Sequence, residues 1–98
     1  MNYELIIKPG AEQDIRETSH YYQRQKPELG IDFLLAVDNS LERIQENPEM
    51  YAVKYRDVRT ARLSRFPFLI HYLMESSTIF VLAVVHSGRN PRDWKDRL

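Results

Sequence analysis

The sequence predicts an α+β domain of order β-α-α-β-β-β, in which an antiparallel helix hairpin packs on one face of a mainly antiparallel sheet. Three observations carry this expectation. Hydrophobic periodicity is two at the amino terminus, changes to the helical period from Gly10 to Asn47, and returns to two from Val58 onward. Lys26-Pro27 interrupts the helical stretch, so that it holds two helices. Two apolar, β-branched runs near the carboxyl terminus are joined by the polar Glu75-Ser76-Ser77-Thr78, the pattern of a β-hairpin. At 98 residues there is room for one core, so residues 1–98 are read as a single domain.

Tyr3, Leu5 and Ile7 alternate with their neighbours as a first strand that ends at Pro9-Gly10. Ala11, Ile15, Thr18 and Tyr22 then fall on one face of a helix that runs to Gln25, with Glu12, Asp14 and Glu17 early, where the helix dipole favours acids. Pro27 opens the second helix, because a first-turn residue needs no N–H. Its apolar stripe is Phe33, Leu34, Val37, Leu41 and Ile44, and Asn47 before Pro48 stops it. A loop from Pro48 to Asp57 leads to a second strand over residues 58–63. Residues 68–74 and 79–85 form the closing hairpin. With Ser76-Ser77 as its turn, Phe68, Ile70, Tyr72 and Met74 face Val85, Ala83, Val81 and Ile79 on the side that meets the helices. The other side then holds Leu69, Leu73, Phe80, Leu82 and Val84, with His71 and His86. A sheet apolar on both faces needs a second cover: the short tail from Ser87 to Leu98, a second copy, or another protein.

Composition excludes several classes of chemistry. There is no cysteine, which removes disulfides, thiolate metal sites and cysteine nucleophiles. No signal-peptide layout or apolar run of membrane-spanning length is present, so a cytoplasmic protein without a membrane partner is expected. The net charge of zero hides a split: residues 1–53 carry 5 basic and 10 acidic residues, a net of −5, and residues 54–98 carry 9 and 4, a net of +5. No P-loop, HExxH or GxGxxG spacing occurs, and no cofactor or metal is expected.

Lys54, Arg56, Arg59, Arg62 and Arg65 form one basic cluster, and Arg89, Arg92, Lys95 and Arg97 a second. Both suit phosphate or carboxylate recognition, against the plain alternative of a charged strand edge that resists aggregation. The predicted pairing puts His71 and His86 on one face but on the order of 13 Å apart, too far to share a metal. His20 is read as a surface or structural residue, whereas His86, at the end of the last strand, is as suited to function as to capping.

The residues also carry a family likeness. Ala11-Glu12-x-Asp14-Ile15 opening the first helix, Phe33 in the second and Asn47-Pro48 closing it are followed by Phe66-Pro67-Phe68-Leu69-Ile70-His71-Tyr72. Val81-Leu82-Ala83-Val84-Val85-His86, then Arg89-Asn90-Pro91 and Trp94, complete the series. In this order the set resembles the RelE/ParE superfamily of bacterial toxin–antitoxin toxins over nearly the whole chain, and within it the ParE-like, plasmid-stabilisation members. That resemblance implies a toxin neutralised by a cognate antitoxin, which would cover the second sheet face at Leu69, Leu73, Phe80, Leu82 and Val84. It leaves two targets open. ParE-like members act on DNA gyrase by binding, here through Arg59, Arg62, Arg65, Arg89, Arg92 and Trp94. RelE-like members are metal-independent endoribonucleases that cleave messenger RNA on the ribosome, here with His86 as acid and Arg65 and Arg89 as charge stabilisers. Ribonucleases of that type carry an arginine where this chain has Leu69 and a tyrosine where it has Trp94, and the strand ending in His86 leans towards ParE. A non-toxic binding relative is the third reading, and a homodimer and a hetero-oligomer with the antitoxin both stay open.

Overall fold

The structure, a computed structural model, describes residues 2–89 and 92–98, with Arg92 and Asp93 described by backbone alone. Strand β1 (Glu4–Ile7) leads into helices α1 (Pro9–Gln25) and α2 (Pro27–Glu46), followed by a 3-10 turn at Pro48–Met50. Strands β2 (Val53–Tyr55), β3 (Val58–Arg62), β4 (Phe68–Glu75) and β5 (Thr78–His86) come next, then the short helix α3 (Arg92–Lys95). The sheet order is β1-β5-β4-β3-β2, with β1 parallel to β5 and every other pair antiparallel. The α+β class, the helix hairpin and the mainly antiparallel sheet therefore stand as expected. The strand over Val53–Tyr55 is additional: three residues are too few to show a period, and the sequence reads as loop there.

Both helices begin on proline and are joined through Lys26 alone. Their axes come close because Gly30 is buried against α1; a Cβ there would stand 2.9 Å from the Ser19 carbonyl oxygen. Phe33, Val37, Leu41 and Ile44 of α2 are buried as expected, but Leu34 is largely exposed and Gly30, Ala36 and Ser40 take its share of the inner face. Tyr22, Phe33, Phe66 and Phe68 pack as an aromatic cluster, edge-on except for the tilted Tyr22–Phe33 pair, with neighbouring ring centroids 4.9–5.6 Å apart. Tyr72, fully buried in the same core, donates its hydroxyl to the Pro48 carbonyl at 2.6 Å and so pins the 3-10 turn to β4. Burial pushes that phenol up to about 12.

The β4–β5 hairpin turns at Ser76-Ser77, with Ser76 in the left-handed region at φ 56°. Near the turn the register is the expected one, Met74 opposite Ile79 and Tyr72 opposite Val81. It then slips by one: His71 pairs with Ala83, leaving Leu82 as an extra residue on β5. Beyond this bulge every β5 side chain changes face. Val84, expected on the outer face, is instead buried in the helix-side core, while Ala83 and Val85 lie on the outer side. His86 moves to the face of its partner Phe68 and packs edge-on against that ring at 5.4 Å, so His71 and His86 do not share a face as expected.

The bulge lies where the edge of β5 loses its partner. Strand β1 makes its last bond to β5 through the Lys8 N–H and the Val81 carbonyl at 2.9 Å, then turns away into α1. The next polar groups on that edge of β5 would be left unpaired. Asp14 of α1 accepts the Val84 N–H at 3.0 Å, and Arg97 donates to the Leu82 carbonyl at 3.1 Å. The two side chains also form a bidentate pair at 2.6 and 3.1 Å. Asp14→Ala removes both bonds and is expected to cost about 2–3 kcal/mol in urea unfolding. Asp14→Asn keeps an acceptor for Val84 and is expected to cost clearly less; equal losses would mean that the strand contact contributes nothing.

Candidate functional site

The tail folds back over the sheet face that the helices leave open. Trp94 is 5% exposed, and its ring stacks on His71 with centroids 4.0 Å apart and planes 16° from parallel. Tyr55 meets Trp94 edge-on at 6.0 Å. Beneath lie Val58, Leu82, Ala83 and Val85, so the outer face has a small core of its own. Burying one large aromatic contributes roughly 4 kcal/mol gross, enough to explain why this tail docks. His71 is 5% exposed, and its Nδ1 lies 2.9 Å from the Thr60 hydroxyl. Burial pulls the imidazole down to about 4 from its usual 6.5, so it is neutral at physiological pH.

The docked tail divides the outer face into two grooves. On one side, a cleft of about 320 Å³ has Leu69 and Val85 among its lining, with Tyr55 and Trp94 beside them and Lys54, Lys95 and Arg89 around them. His86 borders it, with the ring turned against Phe68 and Nδ1 accepting the Gly88 N–H at 2.9 Å. Leu73, Phe80 and Leu82 meet Lys8 and Arg97 in a second groove, of about 370 Å³. Among the described residues no group of three or more His, Asp or Glu side chains is disposed to hold a metal ion.

The basic residues divide by what they touch. Arg59 turns inward: its Nη1 donates to the carbonyls of Glu49 at 3.2 Å and Tyr51 at 2.5 Å, which fixes the 3-10 turn and removes it from the outer surface. Arg97 is the clamp on Asp14. Trp94 is buried as the anchor of the tail, and its ring also lines the cleft. Arg62 is exposed beside Leu69, its cross-strand partner. Arg65 takes a left-handed φ of 73°, lies 5.6 Å above the Phe66 ring and makes a long ion pair of 3.5 Å with Asp32. Arg89 is exposed at the cleft. Lys95 stands 3.8 Å over the Tyr55 ring, with Arg56 at 5.4 Å from it. The Arg92 side chain and the Asn90-Pro91 part of the motif lie outside the described residues. Of the five residues expected to meet an antitoxin, Leu69, Leu73 and Phe80 are partly exposed on the outer face, Leu82 lies largely under the tail and Val84 is inside the core. The Asp14–Arg97 pair was not legible as a pair, since 83 residues separate the two.

Comparison with known proteins agrees with this architecture. The family described as "ParE toxin of type II toxin-antitoxin system, parDE" matches over residues 5–91. The chain belongs to the ParE toxin family. Toxin ParE2 of Mycobacterium tuberculosis, from strains CDC 1551 / Oshkosh and H37Rv, is 32% identical over 93 residues, which cover 93% of this chain and 88% of the relative. A solved chain of the chromosomal ParDE TA system from P. aeruginosa superposes with a TM-score of 0.77 at 19% identity, covering 86% of this chain and 95% of that one, and so shares the fold. Among the described residues of this ParE-family protein, no helix is long and apolar enough to cross a membrane.

The buried histidine gives the tail a pH dependence of known sign. Its pKa is lower folded than unfolded, so the unfolded chain takes up the proton first as pH falls. Stability is therefore expected to be full above the unfolded value of 6.5 and to decline progressively towards pH 4. The fluorescence of Trp94, the one tryptophan in the chain, reports undocking directly. His71→Phe keeps the stacked ring and is expected to flatten the slope of stability between pH 6.5 and 4; an unchanged slope would assign it to other groups.

Proposed function

We propose that this ParE-family protein is a growth-inhibiting toxin, held in check by a cognate antitoxin, and that it acts by binding its target, DNA gyrase, rather than by cleaving RNA. One observation carries the choice of binding over chemistry. Of the two imidazoles beside the outer cleft, His71 is shut beneath Trp94, and His86 has its Nδ1 engaged by the Gly88 N–H. The Gly88 N–H occupies the His86 Nδ1 lone pair, so that nitrogen offers no free acceptor. What remains is apolar surface rimmed with cations, which can recognise a partner but is poorly equipped to move a proton. Leu69 adds to this, because an alkyl side chain offers a developing phosphorane no charge.

In this reading Arg62, Arg65 and Arg89 contact the target, and Leu73 and Phe80 lie on the side that takes the antitoxin. When the protein is induced alone, pulse-labelling is expected to show DNA synthesis failing within minutes, before translation, with no new messenger 5′ ends. Co-expression of the neighbouring antitoxin should restore growth. Arg62→Glu and Arg89→Glu are each expected to abolish arrest with thermal unfolding unchanged, and His86→Ala to retain it. Translation failing first would favour the ribosome-dependent endoribonuclease, and growth without arrest would mark a non-toxic binding relative.

A further inference from the structure

We infer that the cleft between β2, the end of β5 and α3 is an anchor pocket for a large apolar side chain presented by an acidic segment of the protein target. This deepens the binding-toxin reading and rests on it. At about 320 Å³ the cleft exceeds the volume of a single large side chain, and Leu69 and Val85 give it aliphatic walls. Lys54, Lys95 and Arg89 line it as well, and among the described residues no carboxylate does. An apolar group that enters is therefore met by positive charge, which complements carboxylates on either side of it.

Two features select a protein segment over a nucleic acid. Stacking a nucleic-acid base needs an open aromatic face. Trp94 spends one face on His71 and is almost wholly buried, while Tyr55 carries Lys95 and Arg56 over its ring. The cleft is also distinct from the Leu73–Phe80 groove, because the docked tail stands between them. Target and antitoxin thus have separate seats on one face.

The test titrates the full chain with the peptide Ac-Asp-Glu-Phe-Asp-Glu-NH2, followed by methyl shifts of Leu69 and Val85 and by Trp94 fluorescence. Saturable shifts at these residues are expected. Replacing the central phenylalanine by glycine should weaken binding by about tenfold or more, the size of burying one aromatic side chain. Lys95→Glu and Leu69→Glu, each verified as folded by thermal unfolding, should abolish the response. No saturable shift, equal binding of the glycine peptide, or tighter binding of an eight-nucleotide thymidine oligomer would each overturn the inference. Growth arrest is scored separately in wild type. Its absence sinks the toxin reading while the titration still decides the pocket.

Discussion

Asp14 sits where the parallel strand β1 runs out. A parallel edge strand that stops after four residues leaves its nine-residue neighbour with unpaired groups, and in this fold a helix side chain and a tail side chain together take the missing strand's place. The Asp14 carboxylate accepts what a carbonyl would have accepted, and the Arg97 guanidinium donates what an amide would have donated. Helix α1, strand β5 and the tail are thereby joined at one point. The hydrogen bond to Asp14 raises the Arg97 pKa further above its already high value. The extra residue at Leu82 is tolerated at this point, and it decides which β5 side chains face the helices.

From that bulge follows the character of the outer face. A regular β5 would put Val84 outside and turn His86 towards His71; the bulged strand buries Val84 and separates the two imidazoles. Ala83 and Val85 come out instead, small enough to let the tail settle over them. Trp94 then lies flat on His71, and the burial that makes the stack possible also keeps the imidazole uncharged. A single chain of about a hundred residues thus builds two cores on one sheet. The second core is small enough that its anchor, its clamp and its neutral histidine all matter to it.

Element type was legible because periodicity is local. The switch at Pro9-Gly10, the break at Lys26-Pro27 and the stop at Asn47 all lie within a turn of the observed boundaries. The bulge was not legible, because the carboxylate that satisfies the strand edge beside it lies 70 residues away in the sequence. Leu34 was assigned inward on spacing alone, yet Gly30 brings α1 so close that the inner face is rotated towards small residues. For the candidate site, the sequence displays charge and aromaticity but not direction. Arg59, Arg62 and Arg65 look alike in a string of residues; the fold turns the first onto the 3-10 turn, leaves the second exposed and pairs the third with Asp32. Trp94 lies in a basic tail, and its burial depends on side chains from four strands, β2 to β5.

The balance of charge takes its meaning from this arrangement. The acidic half of the sequence supplies both helices, and the basic half supplies β3 to β5 and the tail, so opposite signs occupy opposite layers. Asp14–Arg97 and Arg65–Asp32 join the layers, and only the first is short and well shielded from water. The remaining separation is therefore presented outward, as a field that attracts acidic partners to the cleft side and falls off over about 10 Å at 0.1 M salt. Symmetric pairing of two copies through the cleft face would bring two basic surfaces together, which opposes a homodimer at that surface. A neutral total thus coexists with a strongly basic outer face, and the sign of the partner follows from the layer rather than from the sum.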